Sequence, residues 1–211
     1  MLTLYYHPLS FPAFAPIFTA EYLKLDYDRK LVDLVNGEHK TPEYLAINSY
    51  GKVPALKDGD FTMAESHAIM RYLARRADSD IYGGDAKRLG EIDQWMDFVV
   101  HHIRDNIGRL QFNRVVAPMI GMAVDENSVK EGVKFLLRYL PMIEGRLSEN
   151  KYLCGDDLTI ADLALLAALE PSETAQVDLS ECPTLKAWLT AEREMPYYQN
   201  VHSHFMVELG R

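Results

Sequence analysis

Between residues 77 and 85 the spacing of apolar residues changes, and the change divides the chain into two kinds of structure. Before it, short strand-like runs alternate with helical ones. Leu2 to Tyr6 reads as a strand, Ala15 to Leu25 as a helix, Tyr27 to Val32 as a strand and Pro42 to Ile47 as a short helix. Pro54 to Lys57 and Phe61 to Met63 form a hairpin around Asp58-Gly59, and Ser66 to Arg76 closes the series as a helix. The order βαβαββα joins a parallel strand pair through a crossover helix and predicts an α/β sandwich. Gly83-Gly84 marks the linker.

After the linker the period is helical throughout, which predicts an all-α second part. Ile92, Met96, Val99, Ile103, Ile107 and Leu110 follow steps of four and three, one apolar face of a long helix. Val129, Val133, Leu136, Leu140, Ile143 and Leu147 repeat the pattern, and Pro141 is expected to kink that helix. Leu158-Thr159-Ile160-Ala161-Asp162-Leu163 is a helix start: Thr159 can cap the amide of Asp162, Asp162 can reach back, and Leu158 can staple onto Leu163.

Composition narrows the class. With 211 residues, 48% of them apolar, the chain can bury real cores. No apolar run approaches the ~18 residues of a membrane span, and no basic segment precedes an apolar leader, so a cytoplasmic protein is expected. The formal charge of −9 and the lack of a basic stripe argue against nucleic acid. The acidic surplus is larger after the linker, so an anionic ligand meets less repulsion from the first part. Cys154 and Cys182 belong to no Cys-x-x-Cys motif and read as idle thiols in a reducing compartment. His101-His102 and His202-Ser203-His204 lack a carboxylate or cysteine to complete a ligand set, so no metal is expected.

The segment from Gly51 to Ser66 makes a compact unit that can hold a peptide. Pro54 cannot donate a ladder hydrogen bond and belongs at a strand start or edge. A cis Val53-Pro54 bond would leave the Val53 N–H and C=O free for a ligand's backbone, whereas trans is the ordinary state. Glu65-Ser66 sits at a helix N-terminus, where unpaired N–H groups and the helix dipole favour a carboxylate. Glu65 and the Ser66 hydroxyl together suit an α-amino acid end; the same pair also reads as a simple N-cap.

A βαβαββα unit with Val-Pro before its third strand, a Gly-Gly linker and an all-helical second part resembles the cytosolic glutathione transferase family along nearly the whole chain. The likeness is to the serine-type classes, delta and theta among them, and above all to the phi class. It rests on Gly37-Glu-His-Lys-Thr-Pro-Glu-Tyr-Leu-Ala-Ile-Asn48, Gly51-Lys-Val-Pro-Ala-Leu56, and Asp58-Gly-Asp60 through Glu65-Ser66. The resemblance implies a thioredoxin-like glutathione-binding domain over 1–79, a helical-bundle domain over 86–211 that contributes the electrophile pocket, and a homodimer. Tyr50 becomes a candidate to enter the partner's helical domain; a loop tyrosine packed on its own subunit is the alternative.

Carried over position by position, the resemblance implies that Val53 pairs its backbone with the cysteinyl part of glutathione across a cis Pro54. Glu65 and Ser66 hold the γ-glutamyl end, and His39 with Lys40 faces the glycine carboxylate. Lys52 stands where the phi class usually has glutamine, and can still contact the glycyl side. Tyr6-His7-Pro8-Leu9-Ser10 looks like the catalytic segment, with Ser10 at the serine position. Tyr6 lies where other classes keep a catalytic tyrosine and also reads as a plain strand end. Phe11-Pro12-Ala13-Phe14 departs from the family, since a basic residue usually follows the serine.

A pocket for the electrophile is expected beside Ser10, lined by Phe11, Phe14, His102, Asn106, Leu110 and Phe112. Each of these residues also reads as core or surface. The implied activity is conjugation of the glutathione thiolate to electrophilic, largely apolar small molecules, with glutathione as co-substrate and no cofactor. Two alternatives stay open: glutathione-dependent reduction of disulfides or peroxides, and a non-catalytic binding protein of the same family.

Overall fold

A computed structural model describes the backbone of residues 1–208 and the side chains of residues 1–203, so the His204 side chain lies outside the described residues. The chain forms two compact units. The first comprises Met1–Gly83 together with the segment from Glu194 onward, and the second is Gly84–Arg193.

In the first unit, strand β1 (Leu2–Tyr6) leads through a 3-10 turn at Phe11–Ala13 into helix α1 (Phe14–Tyr22). Strand β2 (Asp28–Leu31), a 3-10 turn at Glu38–Lys40 and the short helix α2 (Pro42–Leu45) follow. Strands β3 (Ala55–Asp58) and β4 (Phe61–Ala64) form the hairpin, and α3 (Ser66–Arg76) completes the series. The sheet order is β2-β1-β3-β4. β1 runs parallel to β2 with Leu4 opposite Arg29, and antiparallel to β3 with Leu4 opposite Leu56. Leu2, Leu4 and Tyr6 point to one face of the central strand and are buried with Ile69, Met70 and Leu73 of α3.

Helix α1 stops three residues short of its expected end. Lys24 adopts a positive φ of 51° and the Leu25 N–H bonds back to the Ala20 carbonyl at 3.0 Å, a left-handed C-terminal cap made without glycine. α3 ends alike, with Asp78 at φ 48° and the Ser79 N–H on the Ala74 carbonyl at 3.1 Å.

The second unit begins with α4 (Ala86–Phe98), capped by the Asp85 carboxylate on the amides of Lys87 and Arg88. The rod continues through a π-helical stretch (Val99–Arg104), α5 (Asp105–Gln111), a second π-helical stretch (Phe112–Val116) and the single turn α6 (Ala117–Met119). The apolar face from Ile92 to Leu110 is fully buried, as its spacing predicts. α7 (Glu126–Glu149) runs through Pro141 as one helix and buries Val129, Leu136, Leu140, Ile143 and Leu147, whereas Val133 is only half-buried. α8 (Ile160–Leu169) is buried along its whole length and starts at the expected capping box. The Asp162 carboxylate accepts from the Thr159 N–H and hydroxyl at 2.8 and 2.9 Å, and from the Leu153 N–H at 2.8 Å. α9 (Pro183–Arg193) is capped from a distance by Glu144, which accepts from the amides of Thr184 and Leu185.

The last helix, α10 (Pro196–Glu208), groups with the first unit. Phe14, Phe18 and Tyr22 fall at steps of four on α1 and meet Tyr197, Tyr198 and His202 of α10. Phe18 stacks on Tyr198 at 5.4 Å, Phe14 on His202 at 5.6 Å, and Tyr22 meets Tyr197 edge-on at 5.5 Å. Among the described residues no helix is long and apolar enough to cross a membrane.

Candidate active site

The Val53-Pro54 peptide is cis. The residue before it is held hard: the Lys52 carbonyl accepts from the Tyr44 hydroxyl at 2.7 Å and from the Asn48 side-chain amide at 2.6 Å. Asn48 is buried, its own carbonyl oxygen accepting from the Tyr50 N–H at 3.0 Å. Burial pushes the Tyr44 hydroxyl up to about 12, so it stays protonated as a donor at neutral pH. The Lys52 residue itself is exposed. Sequence reasoning assigned Tyr44 and Asn48 no role. The available signal was Asn48, a turn former placed four residues before Lys52 in an otherwise apolar stretch.

Gly51 brings a second segment to this one. It adopts φ 60°, and a Cβ there would lie 3.0 Å from the His39 carbonyl oxygen. The 3-10 turn carrying His39 and Lys40, which Gly37 opens at φ 80°, therefore rests on the backbone just before Lys52. His39 Nδ1 is buried without a hydrogen-bond partner among the described residues, and Lys40 is exposed. Such an orphaned ring nitrogen marks a place where a polar ligand atom would be welcome.

Ser10 comes to Val53 from 43 residues away. Its hydroxyl reaches the Val53 carbonyl at 3.5 Å, the long limit of a hydrogen bond and therefore a weak restraint. Its backbone is better fixed, with its N–H on His7 O at 2.9 Å and its carbonyl accepting from Ala13 N at 2.8 Å. Ser10 precedes the 3-10 turn rather than α1 itself, and its side chain caps nothing. The hydroxyl is thus half-exposed and available. Tyr6 contrasts with it: only 1% of its surface is exposed, a core position on β1.

Glu65 occupies the N-cap position of α3 with φ 69° and ψ 112°, and its side chain makes no cap hydrogen bond. That disposes of the simple-cap reading for Glu65. A positive φ at a residue with a side chain costs on the order of 1–3 kcal/mol, and such strain concentrates at functional sites. The exposed carboxylate forms no ion pair among the described residues, while Ser66 opens the helix and is buried.

The residues expected to meet the electrophile are placed unevenly. In the first unit Phe11 is half-buried on the 3-10 turn, and Phe14 is buried against Phe18 and His202. In the second unit His102 stacks on Tyr139 at 4.2 Å and is half-buried. Asn106 is buried and donates to the His102 carbonyl at 2.9 Å, and Leu110 has no exposed surface. Phe112 is 42% exposed. Asn106 and Leu110 are turned inward because they fall on the buried face of α5, so they offer a ligand little or no surface here.

Comparison with known proteins adds an independent line. Residues 1–75 match the family model of the glutathione S-transferase N-terminal domain, and residues 103–196 that of its C-terminal domain. The chain is 37% identical over 173 residues to glutathione S-transferase F10 of Arabidopsis thaliana, covering 81% of this chain and 80% of that one. It is 37% identical over 205 residues to glutathione S-transferase 3 of Zea mays, covering 94% and 91%. A solved structure of glutathione S-transferase I from maize, in complex with an atrazine glutathione conjugate, superposes with a TM-score of 0.86 at 31% identity, covering 96% of each chain.

Proposed function

Since the chain belongs to the glutathione S-transferase family, we propose that it conjugates glutathione to apolar electrophiles with Ser10 holding the sulfur as a thiolate. The observation that carries this reading is the approach of the Ser10 hydroxyl to the Val53 carbonyl at 3.5 Å. It sets a hydroxyl held only by a weak bond beside the backbone assigned to the cysteinyl part of glutathione. His39, Lys40 and Lys52 take the glycine end of the peptide, and Glu65 with Ser66 takes the γ-glutamyl end. Residues 1–79 supply the thiol donor, and residues 86–211 contribute the contacts that select the acceptor. The candidates for those contacts are Phe11 and Phe14 in the first unit and His102, Asn106, Leu110 and Phe112 in the second.

The chemistry is modest at the ionisation step. A thiol of pKa near 8.5 is about 3% thiolate at pH 7, and a pKa lower by about two units makes it roughly 75% thiolate, for about 2.7 kcal/mol of anion stabilisation. One hydroxyl aided by neighbouring backbone N–H groups can supply that. Lower basicity weakens the nucleophile by about eightfold, leaving a net gain of about threefold. Holding sulfur and electrophile together supplies most of the acceleration, several kcal/mol. In the step itself the thiol proton goes to water, the sulfur pair forms the new C–S bond, and the acceptor's leaving group departs with its bonding electrons.

The test is conjugation of 1-chloro-2,4-dinitrobenzene by Ser10→Ala. A fall of about 100-fold in kcat/KM, within the range for loss of one oxyanion-type donor, with glutathione binding kept, supports the role of Ser10. Unchanged turnover removes it. Disulfide or peroxide reduction without conjugation would favour the reductase reading; Phe11-Pro12 after Ser10 lends slight weight to it and equally to a non-catalytic binding protein. The protein acts in this reading as a cytoplasmic homodimer, with Tyr50, 67% exposed, entering the partner. A monomeric mass at micromolar concentration would remove that assignment.

A further inference from the structure

The turn that carries Ser10 is fastened by its own first residue. The His7 carbonyl accepts from the Ser10 N–H at 2.9 Å, which closes a β-turn with Pro8 at its second position, where the fixed φ of proline is at home. The His7 side chain adds a second bond inside the same turn, Nδ1 accepting from the Leu9 N–H at 3.1 Å. Nδ1 stands where the Oδ1 of an asparagine would, so the imidazole plays the part of an Asx turn. Leu9 is 51% exposed and packs little, and the Ser10 hydroxyl makes only its long bond to Val53. Hydrogen bonds to His7 therefore set where that hydroxyl stands.

An accepting nitrogen carries no proton. The neutral ring holds its hydrogen on Nε2, and a second proton can go only to Nδ1, where it would face the Leu9 N–H donor to donor. Burial holds the imidazole below the usual histidine range, opposed in part by the Asp33 carboxylate, so the ring is a neutral acceptor at pH 7. Asp33 follows β2 as His7 follows β1, and the Val32 N–H bonds to the Tyr6 carbonyl at 2.9 Å between them. The Asp33 oxygens accept from the Asn36 N–H at 2.9 Å and its side-chain amide at 2.6 Å. Glu38, the other acid of that loop, accepts from the Asp33 N–H at 2.7 Å. No acid or base occurs from Pro8 to Ala20, so the turn at Phe11–Ala13 and most of α1 bring no charge to the ring.

We infer that His7 is the positioning residue of the Ser10 turn, a role that rests on the reading of Ser10 as the thiolate's donor. The neutral imidazole, bonded to the Leu9 N–H, keeps the Ser10 hydroxyl beside the Val53 carbonyl, and a proton taken up on Nδ1 releases the turn. Acid then slows the enzyme by a route separate from protonation of glutathione.

The test compares His7→Asn and His7→Ala with the natural chain in conjugation of 1-chloro-2,4-dinitrobenzene at saturating glutathione. Asparagine keeps an acceptor for the Leu9 N–H and does not titrate, whereas alanine removes it. At about pH 7.5, above the histidine range, kcat should fall about fivefold in His7→Ala, the worth of one hydrogen bond, and stay within about twofold in His7→Asn. Affinity for S-hexylglutathione, which has no thiol to ionise, should be unchanged in both. From about pH 7.5 to about pH 5 the ratio of the natural kcat to that of His7→Asn should drop by about fivefold or more, because thiol ionisation cancels in the ratio. A constant ratio overturns the inference, as does an asparagine variant as slow as the alanine one. Unchanged turnover in Ser10→Ala would instead remove the reading of Ser10. The hold of His7 on the turn is then decided in the natural chain, where exchange of the Leu9 amide proton, relative to its intrinsic rate, should quicken as the His7 ring resonances titrate. Exchange indifferent to that titration removes the role of His7 as well.

Discussion

The Tyr44 hydroxyl donates to the Lys52 carbonyl at 2.7 Å, and so makes α2 a brace for the backbone that precedes Pro54. Asn48 adds a second donor to the same oxygen at 2.6 Å. Tyr44→Phe should therefore cost about 1 kcal/mol, the usual net worth of one such bond, because the acceptor keeps its other partner. Asn48→Ala should cost more, because it also strands the Tyr50 N–H. Both should raise KM for glutathione more than they lower kcat. Chemical denaturation and steady-state kinetics check the pair, and an unchanged KM would separate the brace from the ligand.

Glu65→Gly should move stability and binding in opposite directions. Glycine tolerates the φ of 69° that Glu65 adopts, so relief of strain, partly offset by unfolded-state entropy, should leave a gain of about 1 kcal/mol. Loss of the carboxylate should weaken glutathione by at least tenfold. A variant that is more stable and binds equally well would show that the carboxylate has no part in holding the peptide.

Gly132 on α7 faces α5, and a Cβ there would collide with the Leu110 side chain and lie 3.2 Å from the Asn106 carbonyl oxygen. Leu110 is fully buried, so the clash forces a core side chain out of its packed position. Overpacking of about 1–3 kcal/mol should outweigh the ~1 kcal/mol that alanine gains over glycine inside a helix. Gly132→Ala is expected to lower the melting temperature by several degrees with glutathione affinity unchanged.

Burial pushes the Cys154 thiol up to about 11, with Asp162 and Glu91 adding to the rise and the Thr159 hydrogen bond opposing it. The folded chain then keeps this proton between about pH 9 and 11, while the unfolded chain loses it. The unfolded state binds fewer protons in that window, so stability falls as pH rises through it. Urea midpoints measured across the window should drop more steeply for the natural chain than for Cys154→Ala. Labelling of the native thiol at pH 8 should be slow, and rapid labelling would contradict the burial.

The hydrophobic period carried most of the architecture. Ser66 to Arg76 matches α3 residue for residue, because strand-like spacing ends at Glu65 and an amphipathic run begins. The six apolar positions from Ile92 to Leu110 are all buried for the same reason. The two π-helical stretches within that rod were not legible, since a widened turn leaves the order of buried residues intact. The early stop of α1 at Tyr22 was hidden because Lys24 performs a turn that usually announces itself as glycine. Among the residues proposed for the site, Ser10, Val53, His39 and Glu65 stand out in the sequence because each breaks a local rule or completes a spaced motif. Tyr44 and Asn48 could not, because their work is done on a backbone carbonyl eight and four residues away.

The aromatic seam between α1 and α10 bears on how the protein is made. Residues 196 to 202 are synthesised long after residues 14 to 18, yet they supply the rings that cover Phe14 and Phe18, on the helix that follows the Ser10 turn. Domains generally fold in the order of their synthesis. Here the first unit is finished by a segment made after the whole of the second, so a nascent chain halted before Pro196 would carry an incomplete core beside Ser10. A fragment ending at Gly83 would expose the same aromatic face to solvent.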